Sequence, residues 1–318
     1  MAEMLHSRVS NATLGIVRAA VYGMWAKHLL EDSVDRYIRT PVEFFTPVGP
    51  LAWLPDAWWP WIYRVEVIEG GRVALLVGIG LCVVGLGPYR LIAVATCFGL
   101  TLYQAFVRGY GYIHHGELAM LFAAYVLAIY PAQRGFSLQR TARSPGPHGT
   151  GGNTAGDDLN RAAMLTICLA LCFTYAFVGA HRLVHGGIGV FFDGTILHYI
   201  TVRTFETDID APGLGRLVLE IPALGTAAAL GYAATTVCEL FAPLAIFARR
   251  FRWIWITTII GFHLAAGLLM GIWFTANIAL VLLCMTDLER VLARCNGLLP
   301  RIGLRPVHFL PVAGDEPT

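Results

Sequence analysis

The sequence predicts an all-α fold: a polytopic membrane helical bundle of about eight transmembrane helices. Three observations carry that expectation. Hydrophobic residues make up 56% of the 318 and charged residues only 14%, whereas a typical soluble domain carries about 25% charge. Mean hydropathy is +0.61. Eight apolar runs approach or reach the roughly 20 residues that a helix needs to cross hydrocarbon.

In chain order the runs fall near 14–30, 73–88, 91–107, 117–131, 162–180, 217–247, 253–273 and 275–286. The first is interrupted by Arg18 and Lys27, and the last is short. An alternative joins 253–286 into one long kinked helix. No cleavable signal fits the N-terminus, because the first apolar run starts late and contains charges. The stretch 31–71 is rich in Trp, Phe and Pro with charges at both ends, as expected of a segment lying at headgroup level. Residues 134–160 read as a flexible loop, 287–318 as a tail, and the whole of 1–318 as a single domain with a core over about 14–290.

Of the 23 basic residues only Lys27 is a lysine. The arginines gather at 134, 140, 143 and 161, at 249, 250 and 252, and at 290, 294, 301 and 305. With eight spans and cytoplasmic termini all three clusters lie inside, as the positive-inside rule expects of a multi-pass plasma (inner) membrane protein. The arginines form no stripe with interleaved stacking residues, which argues against a nucleic-acid partner. The cysteines mostly lie within apolar runs; Cys168 and Cys172, at i and i+4, suit packing better than redox or zinc chemistry.

Ionisable residues concentrate in a few places. "GYIHHGELAM" (111–120) sets His114, His115 and Glu117 at the mouth of an apolar run, and "HRLVHGGIGVFFDGTILHY" (181–199) holds His181, Arg182, His185, Asp193 and His198. On the predicted topology both stretches share the outer membrane face, with half of the ten histidines. His181 and His185 share a helical face if the fifth helix continues past Gly179, and Gly186-Gly187 then ends it. Histidines near a helix N-terminus are kept neutral and usable as bases. The pair His181 and His185 with Glu117 or Asp193 has the residue types for a metal, yet too few histidines converge, and no metal is expected. Glu239 and His263 lie deep within spans, where ionisable groups mark a site or a buried pair. Glu220, just before Pro222, sits towards the outer end of the sixth run. The acidic run with Glu206, Asp208 and Asp210 reads as a solvated loop, with a metal-diphosphate or proton-donating site as the alternative.

Four stretches, in order, resemble the transmembrane portion of the vitamin K-dependent γ-carboxylase superfamily, the HTTM domain. They are "LLVGIGLCVVGLGPYRLIAV", "GYIHHGELAMLFAAYVLAIYP", "YAFVGAHRLVHGGIGVFFDGTILHY" and "CELFAPLAIFARRFRWIWITTIIGFHLAAGLLMGIWF". The resemblance implies a membrane enzyme that uses a reduced quinone and O2, by oxygen and proton-transfer chemistry on an isoprenoid or quinol lipid. It places the family's basic pair on His181 and Arg182 and its mouth histidine on His115. The family's lysine is absent from that pair, and arginine stays protonated in proteins and is no base.

On this reading His115 or His181 acts as base, Arg182 holds an anion, and Glu117, Asp193 and Glu239 support them. His114, His185, Glu220 and His263 line the substrate. The partner is a membrane lipid or isoprenoid, and no protein partner is indicated. The lumenal domain that presents protein substrates in the family has no counterpart before the chain ends, so protein glutamate carboxylation is not expected. Two other readings stand beside it. One is an acid-initiated membrane terpenoid cyclase, with Glu239, Glu220 or Asp193 as a buried neutral acid. The other is a non-enzymatic exporter component or membrane anchor.

Overall fold

The computed structural model describes residues 9–32, 37, 39–111, 116–130, 132, 154–191, 194–206, 214–298 and 300. Among these the fold is all helical, with no strand. The main helices are α1 (Asn11–Glu31), α2 (Val65–Val84), α3 (Tyr89–Gly109), α4 (Gly116–Ile129), α5 (Thr154–Gly186), α6 (Thr195–Thr201), α7 (Leu214–Glu220), α8 (Pro222–Leu240), α9 (Leu244–Phe247), α10 (Arg249–Met270), α11 (Thr275–Met285) and α12 (Leu288–Leu298). Every one of the eight apolar runs is therefore helical. The run at 217–247 is broken at Ile221 and again near Pro243, and 253–286 is two helices separated at Gly271–Phe274.

Four helices are individually long and apolar enough to cross a membrane: α2, α3, the part of α5 from Asp157 to Gly186, and α10. A fifth span results if α7 and α8, bent by 109°, are counted together. α4 and α11 are apolar but shorter. The outer surfaces fit a lipid environment. Only 11% of the most apolar window of α2 is buried, and Val73, Val77, Phe98, Phe173 and Phe177 face outward. In water such a surface would be a large aggregation-prone patch; against acyl chains it costs nothing.

The helix boundaries follow local chemistry. Ser10 caps α1, its Oγ accepting from the Thr13 N–H at 3.1 Å. α2 stops at Gly85, whose φ of +66° is readily reached only without a side chain, and the Gly85 and Leu86 amides close back on the Leu81 carbonyl. Pro222 opens α8 at the first helical position, where its missing N–H costs no hydrogen bond.

The chain clusters into two compact units, and the boundary falls inside α5, after Thr166. One comprises Ser7–Thr166 with Asp287–Thr318. Its interior holds Arg18, which sequence alone reads as a flaw in the first span. The side chain is fully buried and donates to the Ala132 carbonyl at 2.8 Å and the Val83 carbonyl at 3.1 Å. The guanidinium also lies over the Tyr89 ring, 5.7 Å from its centroid. Val83 is in the last turn of α2, where helical carbonyls have no intrahelical partner, and a cation is favoured there by both hydrogen bonding and the helix dipole. Tyr22 and Tyr89 donate in the same manner to the Ala124 and Leu127 carbonyls of α4. The other unit, Met1–His6 and Ile167–Thr286, packs α8, α10 and α11 with the second half of α5. Cys168 donates there to the Cys284 carbonyl at 3.0 Å, a packing role as its spacing suggested.

Arg18→Met should lower stability by about 2–5 kcal/mol, because buried carbonyls lose their donors. Arg18→Lys should recover only part, since an ammonium lacks the planar fork that reaches two carbonyls. Thermal unfolding of the purified variants in lipid or detergent measures both.

Candidate functional site

Unit Ile167–Thr286 contains a buried polar constellation built from four helices. Arg182 on α5 pairs with Glu239 on α8, Nη1 to Oε2 at 2.5 Å, and its Nη1 also donates to Thr236 Oγ1 at 3.2 Å. The Arg182 guanidinium lies over Tyr232, 4.9 Å from the ring centroid, and over Phe262 of α10 at 5.6 Å. The Glu239 side chain is only 2% exposed and that of Arg182 19%. A carboxylate so deeply buried requires a charged or hydrogen-bonding partner, and Arg182 supplies it together with two aromatic faces.

Beside it, the Tyr175 hydroxyl of α5 is 2.7 Å from His263 Nε2 of α10. Asn277 of α11 lies beside the same hydroxyl. Where the imidazole carries its proton on Nε2, that N–H donates to the Tyr175 oxygen and Nδ1 is left as a bare acceptor. His263 Nδ1 is itself buried with no hydrogen-bond partner among the described residues. Trp255, edge-on to Tyr175 at 5.3 Å, and Phe274, 4.8 Å from the His263 ring, wall the dyad.

The close approach of α5 and α8 that allows this pairing depends on Gly179. A Cβ there would come within 2.8 Å of the Leu240 amide nitrogen and 3.1 Å of the Thr236 carbonyl oxygen. Small residues at such crossings let apolar helices pack backbone to backbone. Tyr175, Gly179 and Arg182 recur at i, i+4 and i+7, one face of α5, so Arg182 points in and His181 does not.

The sequence-predicted residues therefore divide. Arg182, Glu239 and His263 come together. His181 and His185 do share a face, their rings stacked at 4.0 Å, but both are exposed and outside the constellation. Glu220 is exposed and paired with Arg216 at 2.7 Å. The anion that Arg182 holds is the protein's own Glu239. Tyr175, Thr236 and Asn277 complete the site and were not singled out from sequence. His114, His115, Asp193, Asp208 and Asp210 lie outside the described residues, as does the side chain of Glu206.

Glu117 sits elsewhere, in unit Ser7–Thr166, where it lines a cavity of about 720 Å³ with Thr101, Gln104, Arg108, Phe44 and Leu121. The cavity wall is formed by the aromatic segment after α1. Phe45 stacks among Trp59, Tyr63, Phe106 and Tyr110, and the Thr46 amide donates to the Gly109 carbonyl at 2.8 Å. Gly109 makes room, since a Cβ there would overlap the Phe45 ring. The segment predicted to lie at the headgroups is thus folded onto the end of α3. Burial pushes the Tyr110 hydroxyl above the ordinary tyrosine range, so it remains a donor, to the Tyr37 carbonyl at 3.2 Å.

Among the described residues no three His, Cys, Asp or Glu side chains converge as a metal site. No family model, curated protein or solved structure matches the chain.

The ion pair makes a signed prediction. Arg182→Ala, which leaves Glu239 buried alone, should destabilise by about 3–5 kcal/mol, whereas Arg182→Met with Glu239→Leu should recover most of that loss. A double-mutant cycle on thermal unfolding reads the difference.

Proposed function

We propose that the protein is a membrane enzyme that moves a proton on an isoprenoid or quinol lipid entering from the bilayer, as the resemblance to the γ-carboxylase-like superfamily implies. The reading rests on one observation above others: His263 Nδ1 is buried, has no hydrogen-bond partner among the described residues, and sits on a ring whose other nitrogen is held by Tyr175. Most buried polar atoms are satisfied, and an exception calls for an explanation, of which a catalytic role is one. A quinol or enol oxygen is a suitable partner. Reduced quinone and O2 are then substrates, and Arg182 provides fixed positive charge near the reacting oxygen without acting as base. His115 and His181, expected from the resemblance to act as base, give way on this reading to His263, with Tyr175 as its positioning residue.

The cyclase alternative loses ground, because its acid must stand unpaired in an apolar pocket and Glu239 is engaged by Arg182. A non-enzymatic anchor or exporter component is favoured by a specific feature: Arg182, Glu239 and Thr236 satisfy one another internally, as a purely structural network would. We further propose eight crossings of the plasma (inner) membrane with both termini cytoplasmic, α1, α4 and α11 completing the set.

Purified protein in lipid, given reduced menaquinone and O2, should turn over. Tyr175→Phe should cost on the order of 10²–10⁴ in rate, the scale of a positioned acid or base, while His181→Ala changes it little. No turnover by the wild type, or equal rates in all three proteins, would leave the structural reading. Separately, reporter fusions after Ser144 and near Asp210 should read cytoplasmic and external, respectively; a cytoplasmic Asp210 fusion overturns the topology.

A further inference from the structure

The cavity in unit Ser7–Thr166 plays no part in the proton chemistry proposed above. Its volume, about 720 Å³, falls in the roughly 300–1,000 Å³ range of small-ligand sites. Most of its wall is apolar, with Phe44, Val48, Leu118 and Leu121 contributing side chains. The polar groups gather together: Gln104 and Arg108 one turn apart on α3, and Glu117 in the first turn of α4. One cation and one anion therefore face a single apolar cavity.

Glu117 carries the further clue. Its Oε2 is buried and finds no hydrogen-bond partner among the described residues. A carboxylate oxygen only accepts, so its missing partner is an N–H or O–H donor. A charged donor matches it best, because charge-assisted bonds are about twice as strong as neutral ones. Arg108, at the end of the apolar helix α3, offers positive charge to an anionic group within the same ligand. A ligand with an ammonium, an anionic group and an apolar body satisfies all three features.

We propose that this cavity binds the head of a phospholipid bearing a primary amine, its ammonium on Glu117, its phosphate towards Arg108 and its acyl chains leaving along the apolar wall. The pairing of opposite charges selects a zwitterion over a singly charged lipid. The accepting carboxylate selects an N–H-bearing head over a fully methylated one.

The test uses the full-length protein in nanodiscs containing equal parts of phosphatidylethanolamine, phosphatidylcholine and phosphatidylglycerol, with retained lipid identified by native mass spectrometry. Wild type should retain phosphatidylethanolamine over either competitor by about tenfold, the scale of one charge-assisted hydrogen bond. Glu117→Gln should abolish that preference, and Glu66→Gln, an exposed glutamate outside the cavity, should keep it. A series needing no variant gives an independent reading: mono- and dimethylated phosphatidylethanolamine should still be retained, and retention should fall only when the last N–H is lost. Equal retention of all three lipids, preference for phosphatidylglycerol, a gradual decline across the methylation series or an unchanged Glu117→Gln preference would each overturn the proposal. None of these results touches turnover at His263, so the two ideas fail separately.

Discussion

A guanidinium taken out of water into an apolar helical bundle must find partners for its charge and its N–H groups, or the bundle does not form. Among the described residues each unit contains such a group, and Arg18 and Arg182 solve the problem differently. Arg18 is satisfied by backbone carbonyls, those of Val83 and Ala132. These acceptors exist because helices end, and they tie α1 to the end of α2 and to the chain just beyond α4. Arg182 is satisfied by a side-chain carboxylate, Glu239, with Thr236 and two aromatic faces around it. In hydrocarbon a buried ionisable residue is expensive, so each arrangement fixes the register of its helices tightly. The difference between them matters for function. Carbonyl acceptors leave nothing to titrate, whereas a carboxylate beside a Tyr–His dyad makes a set of groups that can exchange protons.

The fold was largely legible in the sequence, because the signal that matters in a membrane protein is the apolar run, and all eight runs are helices. The breaks were harder. The 109° bend between α7 and α8 follows from Ile221–Pro222, where proline disfavours helical backbone at the preceding residue. The stop after α10 follows from Gly271 at φ +67°. Both residues were visible, but sequence could not say whether they kink a helix or end it.

The site was legible in part, and the pattern of success has a physical reason. Glu239 and His263 stood out because ionisable groups in an apolar run are costly and therefore conspicuous. Tyr175, Thr236 and Asn277 did not, because a hydroxyl or amide can hide in a helix at little cost and gives no such contrast. The orientation of the His181–Arg182 pair was also within reach of helical phase: residues 175, 179 and 182 repeat on one face, which turns Arg182 inward and leaves His181 exposed. Glu117 was noticed as a helix-mouth acid, but its cavity was not foreseeable, since the wall comes from Phe44 and Phe45 some seventy residues earlier in the chain.

The near absence of lysine acquires a meaning in this light. A lysine at position 182 could surrender its proton on burial, and could serve as a base. It could not at the same time pair with Glu239, donate to Thr236 and lie flat over Tyr232 and Phe262. Arginine does all of these and in doing so gives up proton transfer, so the position becomes a fixed positive charge. On the proposed reading, the task of accepting a proton then falls to the His263 ring, where Tyr175 occupies one nitrogen and the other has no hydrogen-bond partner among the described residues. Arginine at position 182 is thus compatible with the proposed chemistry at this place, provided that the base and the positive charge are supplied by two helices, α10 and α5.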